Sequence, residues 1–300
     1  MKKLLLLMLS IAQIGFAQQV NVVSIEKINE TQQGGYFYPK FSPNKDYLLL
    51  TKVNYQGLIL MRLSDKNLQT INDEPGAGYG TQISEDGKTV LYNKLSFEDN
   101  KRHNSLVAKD LTTGESKVLV KSTREPVTGK FIQSSPTYVT GKKMVKASSK
   151  SKEPQYVIRI EDRKMVLYKN GTRKEIHPNR NDASYLWPSI SPDNQNIVYT
   201  VAGKGTFVCR IDGKNPVSLG KLNAPQWLGN KFIVGMNDID DGEKLLSSTI
   251  KIVSIDGKIN QTIETPEGVN AMYPTATKDG SQIAFNTDKG EIYLVNIELK

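Results

Sequence analysis

Cysteine and histidine are scarce in this sequence. The 300 residues include one cysteine, Cys209, and two histidines, His103 and His177. A single cysteine excludes an internal disulfide framework and a cysteine-rich zinc site, and two histidines disfavour a metal centre of several imidazoles. The motifs of nucleophile elbows, zinc peptidases, phosphate loops and dinucleotide-binding folds are missing as well. We therefore predict no catalytic residues, and we expect Cys209 to be buried in a strand.

Long apolar runs are confined to the N-terminus. Two lysines precede the apolar stretch Leu4–Ile14, and Ala17 is a small residue at a cleavage position. This order predicts a secretory signal peptide over Met1–Ala17, because about 11 apolar residues are too few to span a bilayer comfortably. An uncleaved N-terminal anchor is the alternative. We expect residues 18–300 to form the mature domain, without a transmembrane segment, in a bacterial periplasm or at the cell surface.

Helical periodicity is almost absent from the rest of the chain. Short runs of β-branched and aromatic residues alternate with Gly, Asp, Asn and Pro, a pattern typical of strands and tight turns. Many such hairpins at even spacing indicate a closed or repeated antiparallel architecture. Dipeptides that suit type I′ hairpin turns are Asp86-Gly87, Asn170-Gly171, Asp212-Gly213, Asp256-Gly257 and Asp279-Gly280.

A short sequence unit recurs along the chain and ends in an apolar strand. Successive copies are 42, 55, 52, 37 and 49 residues apart, with a mean of 47. A period of about 40–50 residues with several short strands predicts propeller blades. Four full copies begin at Tyr38-Pro39, Gly80-Thr81, Trp187-Pro188 and Tyr273-Pro274, and two degenerate copies contain Pro136 and Pro225.

These copies resemble the TolB-like β-propeller repeat, which is related to the WD-type repeat. The shared pattern is an aromatic residue, a proline, two spacers, a Ser-Pro-Asp-Gly turn and an apolar strand, and it extends from about Tyr36 to Lys300. The resemblance implies an all-β fold, a β-propeller of four-stranded antiparallel blades. Six copies at a mean spacing of 47 residues predict a six-bladed ring. The last copy lacks a fourth strand, so we expect Val20–Ile25 to close the ring. Only about twenty mature residues precede the first repeat, so the N-terminal domain of TolB is not expected and its function is not transferred.

Five aromatic residues are candidates for a ligand-binding mouth of the central channel. They stand at the start of predicted innermost strands, which a propeller gathers at one end of its channel. Aromatic rings there stack on sugars or hold an extended peptide, and packing between blades is the alternative. The candidates are Tyr38, Tyr79, Tyr185, Trp187 and Tyr273.

Positive charge is concentrated in one part of the chain. Residues 121–180 hold 15 Lys and Arg against 5 Asp and Glu, whereas the whole chain has a net charge of +9. A basic face of this kind attracts acidic glycans or an acidic envelope protein, and a solvated surface is the alternative. Export argues against nucleic acid as the partner. The face is densest at Lys142, Lys143, Lys146, Lys150 and Lys152.

One acidic loop is a weak candidate for a metal site. Asp238, Asp240 and Asp241 are clustered carboxylates, which suit hard cations such as Ca²⁺. Their spacing misses the EF-hand pattern, so we favour a solvated loop over a calcium site. No other cofactor is expected.

These observations favour an exported, non-enzymatic binding or scaffold propeller. The channel mouth or the basic face would be presented to a protein or glycan partner in the cell envelope. The alternative is a propeller-type carbohydrate-active enzyme, either a polysaccharide lyase or a glycoside hydrolase. A glycosidase needs two carboxylates about 5–10 Å apart, and the lack of acidic residues beside the aromatic positions weakens this alternative.

Overall fold

The regular elements in the described part of the chain are β-strands, apart from a 3-10 turn at Val53–Tyr55. The computed structural model describes residues 20–30, 35–132, 134–145, 154–180 and 182–299, so the predicted signal peptide lies outside it. The strands form seven separate antiparallel sheets, which are the blades of a β-propeller. No helix within these ranges is long and apolar enough to cross a membrane.

The blades follow one another in chain order, and we number them 1 to 7. Blades 1 to 3 contain β2 (Phe37–Phe41), β3 (Tyr47–Lys52), β4 (Gln56–Arg62) and β5 (Leu68–Asn72); β6 (Gln82–Ile83), β7 (Thr89–Glu98), β8 (Lys101–Asp110) and β9 (Ser116–Thr123); and β10 (Val127–Ile132), β11 (Ser135–Thr140) and β12 (Lys143–Val145). Blades 4 to 6 contain β13 (Tyr156–Glu161), β14 (Lys164–Lys169) and β15 (Thr172–Ile176); β16 (Tyr185–Ile190), β17 (Asn196–Val201), β18 (Gly205–Arg210) and β19 (Val217–Gly220); and β20 (Asn223–Leu228), β21 (Phe232–Asp240), β22 (Leu245–Ser254) and β23 (Asn260–Ile263). Blade 7 combines β24 (Ala271–Ala276), β25 (Gln282–Thr287) and β26 (Ile292–Leu299) with β1 (Val20–Lys27).

The six-bladed ring predicted from the sequence is wrong, because the chain forms seven blades. The repeat spacings before and after Pro136 are 55 and 52 residues. These two segments contain one sheet more than the repeat pattern indicates. Ser135–Thr140, predicted as an innermost strand, instead pairs with the preceding strand β10 as the second strand of blade 3. Blades 3 and 4 have three strands each in the described residues, and β10 and β13 pair without a bulge. The aromatic-proline pair marks a bulged first strand, so these two blades do not carry it.

The hydrophobic core lies between neighbouring blades. In β3, Leu48 and Leu50 pack against blade 7, while Leu49 packs against blade 2. Successive side chains of a strand point to opposite faces, so a strand covered on both faces reads as a continuous apolar run. Cys209 is buried between blades 4 and 5, as predicted, and burial raises the pKa of its thiol to about 12. Its role is therefore packing.

The N-terminal strand closes the ring, as the sequence predicts. β1 pairs antiparallel with β26 over seven residue pairs, beginning with Val20 opposite Leu299. The chain then passes Gly35, which meets Gly290 at the seam. A Cβ atom on Gly35 would lie 2.7 Å from the Gly290 Cα, and both residues have a positive φ, so both positions require glycine.

The turns after the first strands share one hydrogen-bonded design. A Ser or Thr hydroxyl donates to the carboxylate two residues further on and accepts a backbone N–H from the second strand. This explains the recurring Ser-Pro-Asp-Gly pattern, and we call this end of the channel the turn end. The hairpins between second and third strands lie at the opposite end, the hairpin end, because the strands alternate in direction. The hydroxyl-carboxylate pairs are Ser84–Asp86, Ser191–Asp193 and Thr277–Asp279.

Candidate functional site

Four first strands contain the same β-bulge at the residue before their proline. In β2 the pairing passes from Phe37 opposite Thr51 directly to Lys40 opposite Leu49. The bulged residue has a positive φ, a conformation that costs on the order of 1–3 kcal/mol and persists where its surroundings enforce it. Its repetition in four blades indicates that these side chains are held in a defined place. The bulged residues are Tyr38 (φ 52°), Trp187 (φ 48°), Ala224 (φ 47°) and Tyr273 (φ 50°).

Four tyrosines form a continuous aromatic cluster across blades 7, 1 and 2. Tyr38 stacks on Tyr55 with ring centroids 4.2 Å apart, and its ring lies 4.5 Å from that of Tyr273. Tyr55 belongs to the turn between β3 and β4 and meets Tyr79 edge-on at 5.3 Å. These separations lie at or near the distances at which aromatic rings attract each other. We call this group the tyrosine cluster, and it lies at the hairpin end.

Three of the four tyrosines, Tyr38, Tyr55 and Tyr273, are half-buried, and their hydroxyls stay protonated at neutral pH. Burial, assisted by Tyr55, raises the pKa of Tyr38 to about 12. Burial, assisted by Tyr38, raises the pKa of Tyr273 to about 12. Burial also raises the pKa of Tyr55. The cluster therefore offers neutral hydroxyls and aromatic faces, which suit a ligand with both apolar and polar groups.

Two long hairpins extend at the same end of the molecule as the tyrosine cluster. β7 and β8 have ten residues each, and β21 and β22 have nine and ten, whereas β3, β17 and β25 have six. The side chain of Asn93 in β7 donates to the Tyr79 carbonyl at 3.3 Å, so the first hairpin lies next to the cluster. Phe97 near its tip is 70% exposed, and Ile239 and Leu246 near the second tip are more than half exposed.

Exposed apolar side chains are concentrated at this end of the molecule. Other exposed aliphatic residues, such as Leu68, Val118 and Val217, lie singly on the outermost strands of their blades. Exposed apolar residues gathered at one end of a molecule favour an interaction site there, whereas residues scattered singly do not. We call the concentrated set the hairpin face, and it consists of Val53, Tyr79, Phe97, Leu186, Trp187, Ile239 and Leu246.

The structure brings three of the five predicted mouth residues together. Tyr38, Tyr79 and Tyr273 belong to the tyrosine cluster. Trp187 is 46% exposed on the hairpin face. Tyr185 is fully buried between blades 4 and 5, where it packs in the core.

Sequence reasoning misses Tyr55 and the two hairpin tips, because it considers only residues next to first strands. Tyr55 has a φ of 59° and follows Asn54, which has the same φ. The available signal was an aromatic residue beside Asn and Gly in a turn between two apolar strands. The signal for the exposed hairpin tips is the length of the second strands β7 and β21, which have ten and nine residues.

Two lysines of the predicted basic face lie in the described residues. Lys142 and Lys143 are exposed at the turn between β11 and β12, the second and third strands of blade 3. This position puts them at the hairpin end. Lys146, Lys150 and Lys152 lie outside the described residues.

The carboxylates of the predicted metal loop are engaged by nearby protein groups. Asp238 accepts a hydrogen bond from the side chain of Asn223 at 2.7 Å. Asp240 and Asp241 accept backbone N–H groups of their own loop, and these hydrogen bonds lower the pKa of Asp241. In the described part of the chain, no group of three His, Cys, Asp or Glu side chains is placed to hold a metal ion.

Neither a protein-family model nor a curated protein matches the sequence. Solved structures do match. TolB from Acinetobacter baumannii is 16% identical, with 80% of this chain and 57% of that chain covered and a TM-score of 0.52. A putative TolB from Agrobacterium tumefaciens is 16% identical, with 95% and 99% covered and a TM-score of 0.55. An oligogalacturonate lyase in complex with manganese is 17% identical, with 90% and 79% covered and a TM-score of 0.51.

Identities this low show a shared fold and nothing more. This chain spans little more than half the length of the Acinetobacter baumannii TolB, but nearly the whole of the putative TolB from Agrobacterium tumefaciens. The seven antiparallel sheets and the bulged aromatic-proline strands are observed independently of these matches. Together, these findings show that the chain has the fold of a TolB-like β-propeller.

Proposed function

We propose that this protein is an exported, non-enzymatic binding propeller that holds a protein partner of the cell envelope on its hairpin face. One observation carries the proposal: Phe97, Ile239 and Leu246 are exposed near the tips of two long hairpins, at the end of the molecule that holds the tyrosine cluster. Protein interfaces are enriched in Tyr, Trp and Phe, and a few such residues at the centre supply most of the binding energy. Export rests on the signal-peptide pattern of Met1–Ala17.

The hairpin face fits a protein partner better than a glycan. Sugars bind aromatic surfaces by stacking, but Ile239 and Leu246 offer branched aliphatic groups that stabilise a complex by burial of apolar area. Lys142 and Lys143 at the same end favour a partner with acidic residues around its contact surface, because complementary charge at the rim speeds association.

A carbohydrate-active enzyme is the second candidate, and the fold of the oligogalacturonate lyase is the observation that favours it. That likeness is limited to the fold. The manganese of the lyase is not transferred, because the described residues of this chain offer no set of three ligating side chains. Release of unsaturated products from oligogalacturonate by the purified protein would establish this alternative in place of the first.

We expect the double variant Phe97→Ser, Ile239→Ser to lose its partner. Both side chains are exposed, so the fold should persist, while the apolar contact with the partner is removed. Cross-linking and capture from the cell envelope, with quantification by mass spectrometry, should show at least about a ten-fold drop in the captured partner.

The matched control is Leu68→Ser, Val118→Ser, which removes two exposed aliphatic side chains from outermost strands. It should capture the partner as the wild type does. Equal loss in both variants, or no protein enriched above a capture without bait, would contradict the proposal.

A further inference from the structure

A set of polar residues occupies the same place in four first strands. Each is the first residue after the bulge that pairs with the second strand of its blade. Lys40 lies opposite Leu49, and Ser189 lies opposite Val198. The residue that follows each of them packs against the preceding blade, so these side chains point to the other face of the strand. The four residues are Lys40, Ser189, Gln226 and Thr275.

The first strands of most neighbouring blades contact one another, as β2 does β24 and β13 does β16, and these strands line the channel. The Lys40 ammonium reaches the next blade, where it donates to the Thr81 carbonyl at 2.7 Å. Ser189 Oγ is buried and has no hydrogen-bond partner in the described residues. The channel wall therefore holds a cation and an unused hydroxyl at the same level.

A second lysine lies on the inner wall two blades away. Lys130 belongs to β10 of blade 3, and the charge of Lys278 in blade 7 acts on it. Gly129, the residue before Lys130, faces Leu91 and Leu106 of the preceding blade 2. The Lys130 side chain therefore points to the other face of its strand, as the Lys40 side chain does.

Carboxylates do not offset these charges. Among the ion pairs of the described residues, none includes Lys40 or Lys130. Burial lowers the pKa of Lys40 to about 8, and burial together with Lys278 lowers the pKa of Lys130. Desolvated, unpaired ammonium groups gain the most when an anion enters.

We propose that the channel is a binding site for a multiply charged oxyanion, held by Lys40 and Lys130 with hydroxyl and amide donors of the same wall. The ligand class is a small molecule with carboxylate or phosphate groups. The site lies towards the turn end, away from the hairpin face, so it does not depend on the protein partner proposed above.

Calorimetric titration of the mature protein with citrate and with inorganic phosphate, at constant ionic strength and pH 7, tests this site. We expect the affinity for at least one probe to fall ten-fold or more in Lys40→Met and in Lys130→Met. Lys231→Met is the matched control, because Lys231 is exposed at the turn end, and it should bind as the wild type does.

The pH dependence gives a second test on the unaltered protein. With a pKa of about 8, Lys40 is about 90% charged at pH 7 and about 10% charged at pH 9. Citrate gains rather than loses negative charge over this range, so a fall in its affinity reports the loss of the Lys40 charge. We expect a fall of about ten-fold.

Stronger binding of citrate would assign a carboxylate ligand, and stronger binding of phosphate a phosphoryl ligand. No binding of either probe by the wild type would overturn the proposal, as would binding that neither lysine variant nor pH 9 weakens. If a lysine variant fails to fold, the pH measurement decides.

Discussion

Replacing Glu161 with glutamine is expected to lower the free energy of unfolding by about 3 kcal/mol, because the buried Arg159 then loses its counter-charge and Arg173 keeps only its pair with Glu175. Glu161 Oε1 accepts the Tyr168 hydroxyl at 2.6 Å, and Arg159 Nε lies 2.9 Å from the same oxygen. Glu161 Oε2 accepts hydrogen bonds from Nε and Nη2 of Arg173 at 2.9 and 2.7 Å. Glu161 and Arg159 are both buried.

The same cluster holds blade 4 against blade 3. The Arg159 guanidinium donates to the carbonyls of Pro126, Val139 and Gly141 at 3.2, 3.4 and 2.9 Å. Without the carboxylate of Glu161, the burial of this guanidinium is no longer offset, and the contact between the blades weakens. Neither blade has a fourth strand in the described residues, so this connection is expected to matter more than it would elsewhere in the ring.

Thermal unfolding of Glu161→Gln should show a Tm about 6–12 °C below that of the wild type. Burial by itself raises the pKa of Glu161, but hydrogen bonds from Tyr168 and Arg173 and the charges of both arginines lower it overall. The stabilisation is therefore complete above the ordinary glutamate pKa of 4.5. It is lost as the pH falls through the lower pKa of the folded state, so the Tm difference should shrink in acid.

The control for this prediction is Glu85→Gln, because Glu85 is exposed in the turn before β7. Its Tm should stay within about 2 °C of the wild type. If Glu161→Gln has the same Tm as the control, or if the Tm difference grows below pH 4.5, the ion pairs of Glu161 do not stabilise the fold.

Deletion of residues 18–30 is expected to lower the free energy of unfolding by about 5 kcal/mol and the Tm by at least about 10 °C. Seven residue pairs join β1 to β26, and each backbone hydrogen bond contributes about 0.5–1.5 kcal/mol net. The deletion also removes Val20 from the core between blades 6 and 7. The edge of β26 becomes exposed, and exposed edges pair with other chains.

Thermal unfolding and size-exclusion chromatography measure both effects. A synthetic peptide of residues 18–30, added in excess, should restore part of the lost Tm, because it can occupy the vacant edge. Two point variants serve as a matched pair: Val20→Asp should destabilise the fold, since Val20 is 1% exposed, whereas Val23→Asp should not, since Val23 is 56% exposed. An unchanged Tm in the truncated protein would contradict the role of β1 as the closing strand.

The parts of the fold that were predictable are those with a local chemical cause. The Ser-Pro-Asp-Gly pattern was informative because a hydroxyl such as that of Ser191 makes its hydrogen bonds within five residues. The aromatic-proline pairs were informative because each marks a bulge within one strand. Blades 3 and 4 lack both sequence patterns, and for this reason the predicted number of blades was wrong.

The candidate site was predictable only in part, for a related reason. Tyr38, Tyr79 and Tyr273 were found through their local motif, while Tyr185, with similar sequence surroundings, is buried in the core. The position of a residue before a first strand determines the end of the blade at which it lies. It does not say whether the neighbouring blade covers the side chain.

The sequence alone determined that this chain is an all-β propeller whose N-terminal strand completes the last blade. Alternating burial and turn chemistry act between near neighbours, so a single chain displays them. The tertiary structure decided the number of blades, the tyrosine cluster and the placement of Lys40 and Lys130 on the first strands of separate blades. These depend on which surfaces meet when the ring closes, and partners such as Tyr38 and Tyr273 are too far apart in sequence for any local pattern to join them.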